Sequence, residues 1–484
     1  MTDTIAAIST PYGKGGIAVI RISGDEALSI AGKVFQPASK QPLTAIEGGR
    51  IVYGTIHQPS PVGGTWGKTV DDGMAAVLRA PHSYTGEDTV EISCHGGILL
   101  TEQVLSAIIA AGARPAEAGE FTKRAFVAGK LSLTEAEAVI NLIDARSEEA
   151  LKLARSHTAG RLTAKLSEFY ESLMSLISTA YVYADYPDED LTDLSTEEME
   201  EALQKLIDKM QALSDTYYVG HAIAEGISTV IVGRPNTGKS SLLNRLLGRE
   251  RAIVSNIAGT TRDTIEETVQ VGKVTLRLTD TAGLRDSDDP IEQIGVERSI
   301  AALQNAELIL AVLDGSDPAD IDTLNEIHKA NTTHGVPVIA VFNKCDLPFA
   351  QPVADHLPAP YQGLLSLPNT LQRECLNHLH KTVCISCTTG EGIDDLRSAI
   401  EALFASGEID YDTTAILANA RQKGALDRAI EGVRAALEAL ESGFTPDVAG
   451  MDLEEAMAAL SEADGRAVSA DIVDAIFHRF CVGK

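Results

Sequence analysis

One short string, GRPNTGKS from Gly233 to Ser240, contains the residue types that bind a phosphate chain. Gly233 and Gly238 let the backbone curl until its N–H groups and a following helix N-terminus face an anion. The Lys239 ammonium then reaches the outer two phosphates and the Ser240 hydroxyl can ligate Mg²⁺, with Asn236, Thr237 and Ser241 completing the wall. Three more strings follow in the order such a pocket needs: TTRD from Thr260, DTAG from Asp280 and NKCD from Asn343. Asp280 closes an apolar run, where a carboxylate can hold the Mg²⁺ shell, and Gly283, after Thr281 and Ala282, can give its N–H to a γ-phosphate. Asp346 can accept two N–H bonds from the edge of guanine, a pair that adenine does not offer. A buried carboxylate left half-paired costs on the order of a few kcal/mol, so Asp346 alone supports a preference for GTP over ATP. Asn343 and Lys344 precede it, and Ser386, Cys387 and Thr388 in ISCTTG support the guanine ring.

These strings need elements to hold them. Thr229 to Val232 predicts a strand before the first string, and Leu242, Leu243, Leu246 and Leu247 predict a helix after it. Val274 to Leu278 and Val336 to Phe342 read as strands ending at Asp280 and Asn343, and another strand starts at Thr382. At 484 residues the chain should hold about three domains. Residues 1 to about 125 read as short strands with glycine turns, from Ile17, Arg50 and Asp88, plus one or two helices, an α+β arrangement. From about Leu131 the pattern turns helical, with capping boxes at Ser132/Glu135 and Ser195/Glu198. Helices return over Ala415 to Leu440, Leu453 to Leu460 and Ala467 to Phe480. Both helical stretches carry apolar stripes too large to leave wet, so they are expected to pack on each other as one discontinuous all-α domain interrupted by the nucleotide unit. Two separate helical modules are the alternative, and the second would then have a small core. The expected division is a 1–127 α+β domain, helical parts at 128–225 and 406–484, and an α/β P-loop domain at 226–405.

Acidic side chains outnumber basic ones 69 to 40, for a formal charge of −29. A chain that grips nucleic acid by itself normally shows a basic face, so any RNA is expected to be held mainly by a partner or a local patch. No apolar run approaches the roughly 18 residues of a membrane span, and the six cysteines show no disulfide-framework spacing. A soluble cytoplasmic protein is expected, with the Cys384/Cys387 CxxC serving as packing and His95 ending a strand or turn.

The strings PNTGKSSLLN, GTTRD and DTAGLR, together with TPYGKGGIAVIRISG, YTGEDTVE, GEFTKRAF and the terminal FCVGK, resemble the MnmE (TrmE) family within the TrmE-Era-EngA-like GTPases, over nearly the whole chain. The resemblance implies a Ras-like GTPase domain and a homodimer formed through the N-terminal domain. It also implies a heterotetramer with an FAD-containing partner, MnmG (GidA), that adds an aminomethyl or carboxymethylaminomethyl group at C5 of the wobble uridine of tRNA. A folate, 5-formyl- or methylenetetrahydrofolate, would sit at Arg21, Glu91, Lys130 and Lys484. Ras-like enzymes keep a water-orienting glutamine after DTAG, but this chain has Leu284. Among Asp286, Asp288, Asp289 and Glu292, the family's catalytic glutamate aligns with Glu292. The Asn236 side-chain oxygen can ligate a monovalent cation; in the family this is K⁺, completed here by Ser255, Ile257 and Thr260 of the SNIAGT segment. Asn256, Ala258 and Gly259 line the same loop, and Thr261 would complete the Mg²⁺ shell. The other functional class is a non-modifying GTP switch in ribosome assembly, which would not need Arg21, Glu91, Lys130 and Lys484.

Overall fold

The computed structural model describes residues 3–60, 66–185, 196–249, 267–278, 306–317, 336–348, 381–404, 410–411, 413–480 and 482–483. Internal contacts divide the chain into two units. One comprises Met1–Ile143, His157–Ile207 and Ala425–Lys484, the other Asp144–Ser156 and Asp208–Gly424.

The first unit begins with β1 (Ile5–Ile8), β2 (Ile17–Ser23), α1 (Ala27–Val34), β3 (Phe35–Pro37), β4 (Arg50–Pro59), β5 (Trp66–Leu78), β6 (Thr89–His95), α2 (Ile98–Ala110), β7 (Arg114–Pro115) and α3 (Glu120–Val127). The strands form one sheet in the order β3-β4-β5-β6-β2-β1-β7, in which only β1 and β7 run parallel. Ile30 and Val34 of α1 and Val104 and Ile108 of α2 bury against Ile20, Ile22, Val77, Val90 and Ile92, giving an α+β layer. Strand β5 escaped the sequence reading because its Gly73 and paired aspartates break the alternation. The glycine is required by packing: a β-carbon there would lie 1.9 Å from the Ser93 carbonyl oxygen, and its cross-strand partner Gly54 is equally crowded.

The chain then turns helical: α4 (Leu133–Asp144), α5 (Glu148–Thr158), α6 (Arg161–Asp185), α7 (Thr196–Asp215) and α8 (Tyr217–Ala224). The capping box that starts α4 is formed, with Ser132 N donating to Glu135 Oε2 at 2.7 Å and Glu135 N to Ser132 Oγ at 3.2 Å. Its counterpart at Ser195 lies outside the described residues. After the nucleotide strands come α11 (Ala420–Glu441), α12 (Pro446–Asp464) and α13 (Ala470–Phe477), with α10 (Ile393–Phe404) before them. Although far apart in sequence, α6 and α12 pack along each other, and Tyr181 OH donates to Glu454 Oε1 at 2.8 Å.

The second unit is built on β8 (Ile227–Val232), followed by α9 (Lys239–Arg249), β9 (Glu267–Val271), β10 (Val274–Leu278), β11 (Leu308–Asp314), β12 (Val338–Asn343) and β13 (Lys381–Cys384). The sheet order is β13-β12-β11-β8-β10-β9, parallel except for β9. Strand β8 lies where the order reverses, so the carboxyl ends of β8, β11, β12 and β13 open a crevice together.

Helix α8 leads into this sheet and is apolar on two sides. Ala222 packs with the sheet core, whereas Ile223 packs with Ala150, Leu153, Ile416 and Ala418. Gly220 permits the close approach, since a β-carbon there would lie 2.0 Å from the Leu417 carbonyl oxygen. A polar contact locks the register: His221 Nε2 sits 2.7 Å from Glu307 Oε1, while Ser228 N at the start of β8 donates to Glu307 Oε2 at 2.8 Å. The bond to Glu307 raises the His221 pKa against the opposing effect of burial. A histidine raised in this way stabilises the fold fully below its unfolded value near 6.5 and loses that contribution as pH rises through the higher folded value. His221→Gln is therefore expected to cost about 1 kcal/mol at pH 6, allowing for the partial exposure of Glu307, and less by pH 9. Urea unfolding at the two pH values measures this, and a pH-independent difference would contradict it.

Candidate nucleotide-binding site

The phosphate loop leaves β8 at Gly233, whose φ of +151° and clearance leave no room for a side chain: a β-carbon would lie 2.1 Å from the Val312 carbonyl oxygen. Asn236 adopts the left-handed region, φ 63°, with its side chain exposed, and Thr237 is buried with Oγ1 donating to the Arg234 carbonyl at 3.0 Å. Gly238 follows at φ +101°, and a β-carbon there would lie 2.0 Å from Asn343 Nδ2. Both glycines are thus dictated by what approaches them. Lys239 opens α9 and donates through Nζ to the carbonyls of Gly233 and Arg234, 2.8 and 2.7 Å away, so its ammonium stays curled over the loop. Ser240 and Ser241 occupy the first turn of the same helix. Leu242, Leu243 and Leu246 are buried in the sheet core, which fixes the helix in place behind the loop. A Gly-hinged loop ending in lysine and serine at a helix N-terminus fits triphosphate and Mg²⁺.

The segment expected to read the base lies beside it. Asn343 ends β12 with 3% exposure; its Nδ2 donates to the Thr237 carbonyl at 2.8 Å and its Oδ1 accepts from Cys387 N at 3.1 Å. One side chain thereby joins the phosphate loop to the SCT segment. Lys344 takes φ 65°, after which Cys345 N bonds to the Ile385 carbonyl at 3.0 Å and Asp346 stands exposed at the crevice. Ser386 is fully buried; its Oγ accepts from Thr389 N at 3.1 Å and its carbonyl from Gly390 N at 2.8 Å, which shapes the loop carrying Cys387 and Thr388. Burial pushes the Cys384 thiol up to about 12 and the Cys387 thiol to about 11, so both pack as neutral groups.

The structure therefore brings together Asn236, Thr237, Gly238, Lys239, Ser240, Ser241, Asn343, Lys344, Asp346, Ser386, Cys387 and Thr388. The remaining expected nucleotide residues, Ser255 to Thr261, Asp280 to Gly283 and Glu292, lie outside the described residues. Sequence reading missed Asp314 and Arg245. Asp314 ends β11 opposite Asn343, and Arg245 of α9 donates to the Thr388 carbonyl at 3.4 Å. A lone carboxylate at a strand end, in VLDGSD, was the available signal for the first.

In the first unit, Arg21 and Glu91 are cross-strand partners on β2 and β6. Arg21 Nε donates to Glu91 Oε1 at 2.8 Å, and the guanidinium lies 5.5 Å from the ring centres of both Tyr84 and Phe121. Lys130 donates to the carbonyls of Pro81 and Ser83. Lys484 lies outside the described residues, but Gly483 just before it accepts from Ser9 Oγ at 3.2 Å, and Val482 bridges Ala118. A cavity of about 370 Å³ opens between α3 and α13, lined by Glu87, Glu120, Lys123, Arg124, Asp474 and His478 among others; Arg21, Glu91 and Lys130 do not line it. His95 ends β6 paired to Asp71 at 2.9 Å.

A family model described as the MnmE helical domain matches residues 133–481, and one described as the GTP-binding protein TrmE N-terminus matches residues 4–130. The tRNA modification GTPase MnmE of Moorella thermoacetica is 40% identical over 100% of this chain and 100% of its own length. That of Bacillus licheniformis is also 40% identical over 100% of both chains. The chain belongs to the MnmE family of tRNA modification GTPases. Among solved structures, Aquifex aeolicus Era aligns over 43% of this chain and 66% of its own at 27% identity and a TM-score of 0.26, too loose a superposition to argue from. Membership makes the chain a GTPase acting in tRNA modification, and among the described residues no helix is long and apolar enough to cross a membrane. Replacing Asn343 by alanine strands the Thr237 carbonyl and the Cys387 N–H in a buried site. It is expected to lower stability by about 1–3 kcal/mol and to weaken GTP binding at least about tenfold, measured by urea unfolding and equilibrium titration.

Proposed function

We propose that the chain is the GTP-hydrolysing subunit of a tRNA wobble-uridine modification complex, working as a homodimer with an FAD-containing MnmG (GidA) partner that holds most of the tRNA. The observation that carries the reading is the joint held by Asn343, which fixes a triphosphate loop against a guanine-reading loop in a chain similar over its whole length to tRNA modification GTPases. In this reading the nucleotide domain, 226–405, is inserted between helical parts at 128–225 and 406–484, and 1–127 is the folate-binding and dimerisation domain.

Ser240 and Thr261 would hold Mg²⁺, and Asn236 with Ser255, Ile257 and Thr260 would hold K⁺, which supplies positive charge beside the phosphates as an arginine finger does. The exposed, left-handed Asn236 is free to turn its side-chain oxygen toward that position. Glu292 would position the attacking water, a role Leu284 cannot fill. GTP turnover compared in K⁺ and Na⁺ buffers is the direct test. We expect at least about tenfold stimulation by K⁺ in the wild-type chain and little residual turnover in Glu292→Ala with GTP still bound. Equal rates in the two salts would remove the role given to Asn236, and wild-type turnover in Glu292→Ala would remove the role given to that glutamate.

A bound folate would supply a one-carbon unit. Glu91 suits the amino-pyrimidine edge of a pterin, Arg21 is paired with that carboxylate and would orient it, and the cations Lys130 and Lys484 suit the carboxylate tail. The half-buried Arg21–Glu91 pair backed by Tyr84 and Phe121 supports this, because a rigid carboxylate beside aromatic rings is what a flat heterocycle needs. A reduced folate should bind the isolated chain in a titration and bind at least about tenfold more weakly to Glu91→Ala. Absence of any folate binding would favour the alternative, a GTP switch in ribosome assembly.

A further inference from the structure

Between the phosphate loop and the base-reading loop stands a third segment, the turn Asp314–Asp317 at the end of β11, which belongs to none of the nucleotide strings. Its carboxylate is fully committed. Asp314 Oδ2 accepts from Lys344 Nζ at 2.5 Å, and Oδ1 accepts from Ser316 N at 3.0 Å and Ser316 Oγ at 2.6 Å. The backbone repeats the connection, with Asp314 in register with Asn343 and Gly315 N donating to the Asn343 carbonyl at 3.0 Å. On its other side the turn reaches the phosphate loop, where Asp317 Oδ2 lies 3.7 Å from Arg234 Nη1. Burial alone would push the Asp314 carboxyl up, but its bonds to Lys344 and Ser316 outweigh this and hold it below the usual range, so it is an anion throughout the working pH range.

The position of Lys344 explains what such an anchor achieves. A left-handed backbone at a residue with a long side chain is sparsely populated and persists only where its surroundings enforce it. Here that kink, at φ 65°, directly follows buried Asn343 and turns the chain so that Asp346, two residues on, is presented at the crevice. Held through its ammonium by Asp314, Lys344 cannot relax to the right-handed region without breaking a charged hydrogen bond whose carboxylate is only 14% exposed.

We infer that Asp314 is a positioning residue for guanine recognition: by fixing Lys344 in its left-handed conformation it preorganises the loop that carries Asp346. This deepens the guanine-nucleotide reading and rests on it. The role predicts a loss in binding with little change in the chemical step, because Asp314 touches neither the phosphates nor the water.

The test is a double-mutant cycle in the full chain with GTP and GDP as probes. Asp314→Asn and Lys344→Met are each expected to weaken both nucleotides about tenfold, the size of one charged hydrogen bond, and to raise KM while kcat shifts less than about twofold. The double variant is expected to bind no worse than the weaker single one, because the two residues act as one unit. Unchanged affinity in Asp314→Asn, or losses that multiply to about a hundredfold, would overturn the assignment. Ser316→Ala removes one bond to the carboxylate and leaves the ion pair, so it serves if Asp314→Asn does not fold; a loss of about threefold is expected, and none would count against the proposal. Should the wild-type chain bind ATP as tightly as GTP, the guanine reading itself would fail, an outcome distinct from any in the cycle.

Discussion

Two hydrogen bonds of one buried amide organise the candidate nucleotide site. Asn343 donates to the phosphate loop and accepts from the SCT segment, so two loops from distant parts of the sequence have a fixed separation. The amide is suited to this because it carries a donor and an acceptor on separate atoms of one rigid plane, and an ionised carboxylate in the same place, which only accepts, would leave the Thr237 carbonyl unpaired. Its tight fit also explains a neighbour. Gly238 is glycine because the Asn343 amide occupies the volume any side chain would need, so a residue of the phosphate string is determined by a residue of the base string.

The sheet supplies the rigidity that this amide requires. Strands β8, β11, β12 and β13 run parallel, and β11 and β12 are apolar and buried almost throughout, as a parallel strand covered on both faces must be. Their carboxyl ends carry Gly233, Asp314, Asn343 and Ser386 in adjacent positions. Asp314 and Asn343 are therefore mounted on strand ends that cannot shift without disturbing the core.

Much of the framework was legible in the sequence because the glycine-rich string and the apolar runs beside it mark a strand, a loop and a helix. The strands read from Ile17, Arg50, Asp88 and Val274 and the helix carrying Leu242 and Leu246 follow from the residue pattern alone. What escaped detection depends on partners distant in sequence. Strand β5 hides behind Gly73, whose reason is the Ser93 carbonyl facing it, and Asp314 looks like an ordinary turn residue until the sheet sets it opposite Asn343. The Arg21–Glu91 pair illustrates the same limit. Two isolated charges in sequence become one half-buried unit only when β2 and β6 come into register.

Gly220 has a mechanical consequence. Where most helices meet their neighbours only through side chains that can re-rotamerise, α8 also meets the Leu417 carbonyl directly at Gly220, beside the Ile416 side chain. Contacts of this kind have almost no slack, much as gear teeth cut without clearance have no backlash. A small rotation of α8, seated on the sheet through Ala222, is accordingly delivered to the segment entering α11 rather than dissipated in side-chain rearrangement. Any bulkier residue at this position would act as a spacer and blunt that transmission while leaving the nucleotide pocket chemically intact.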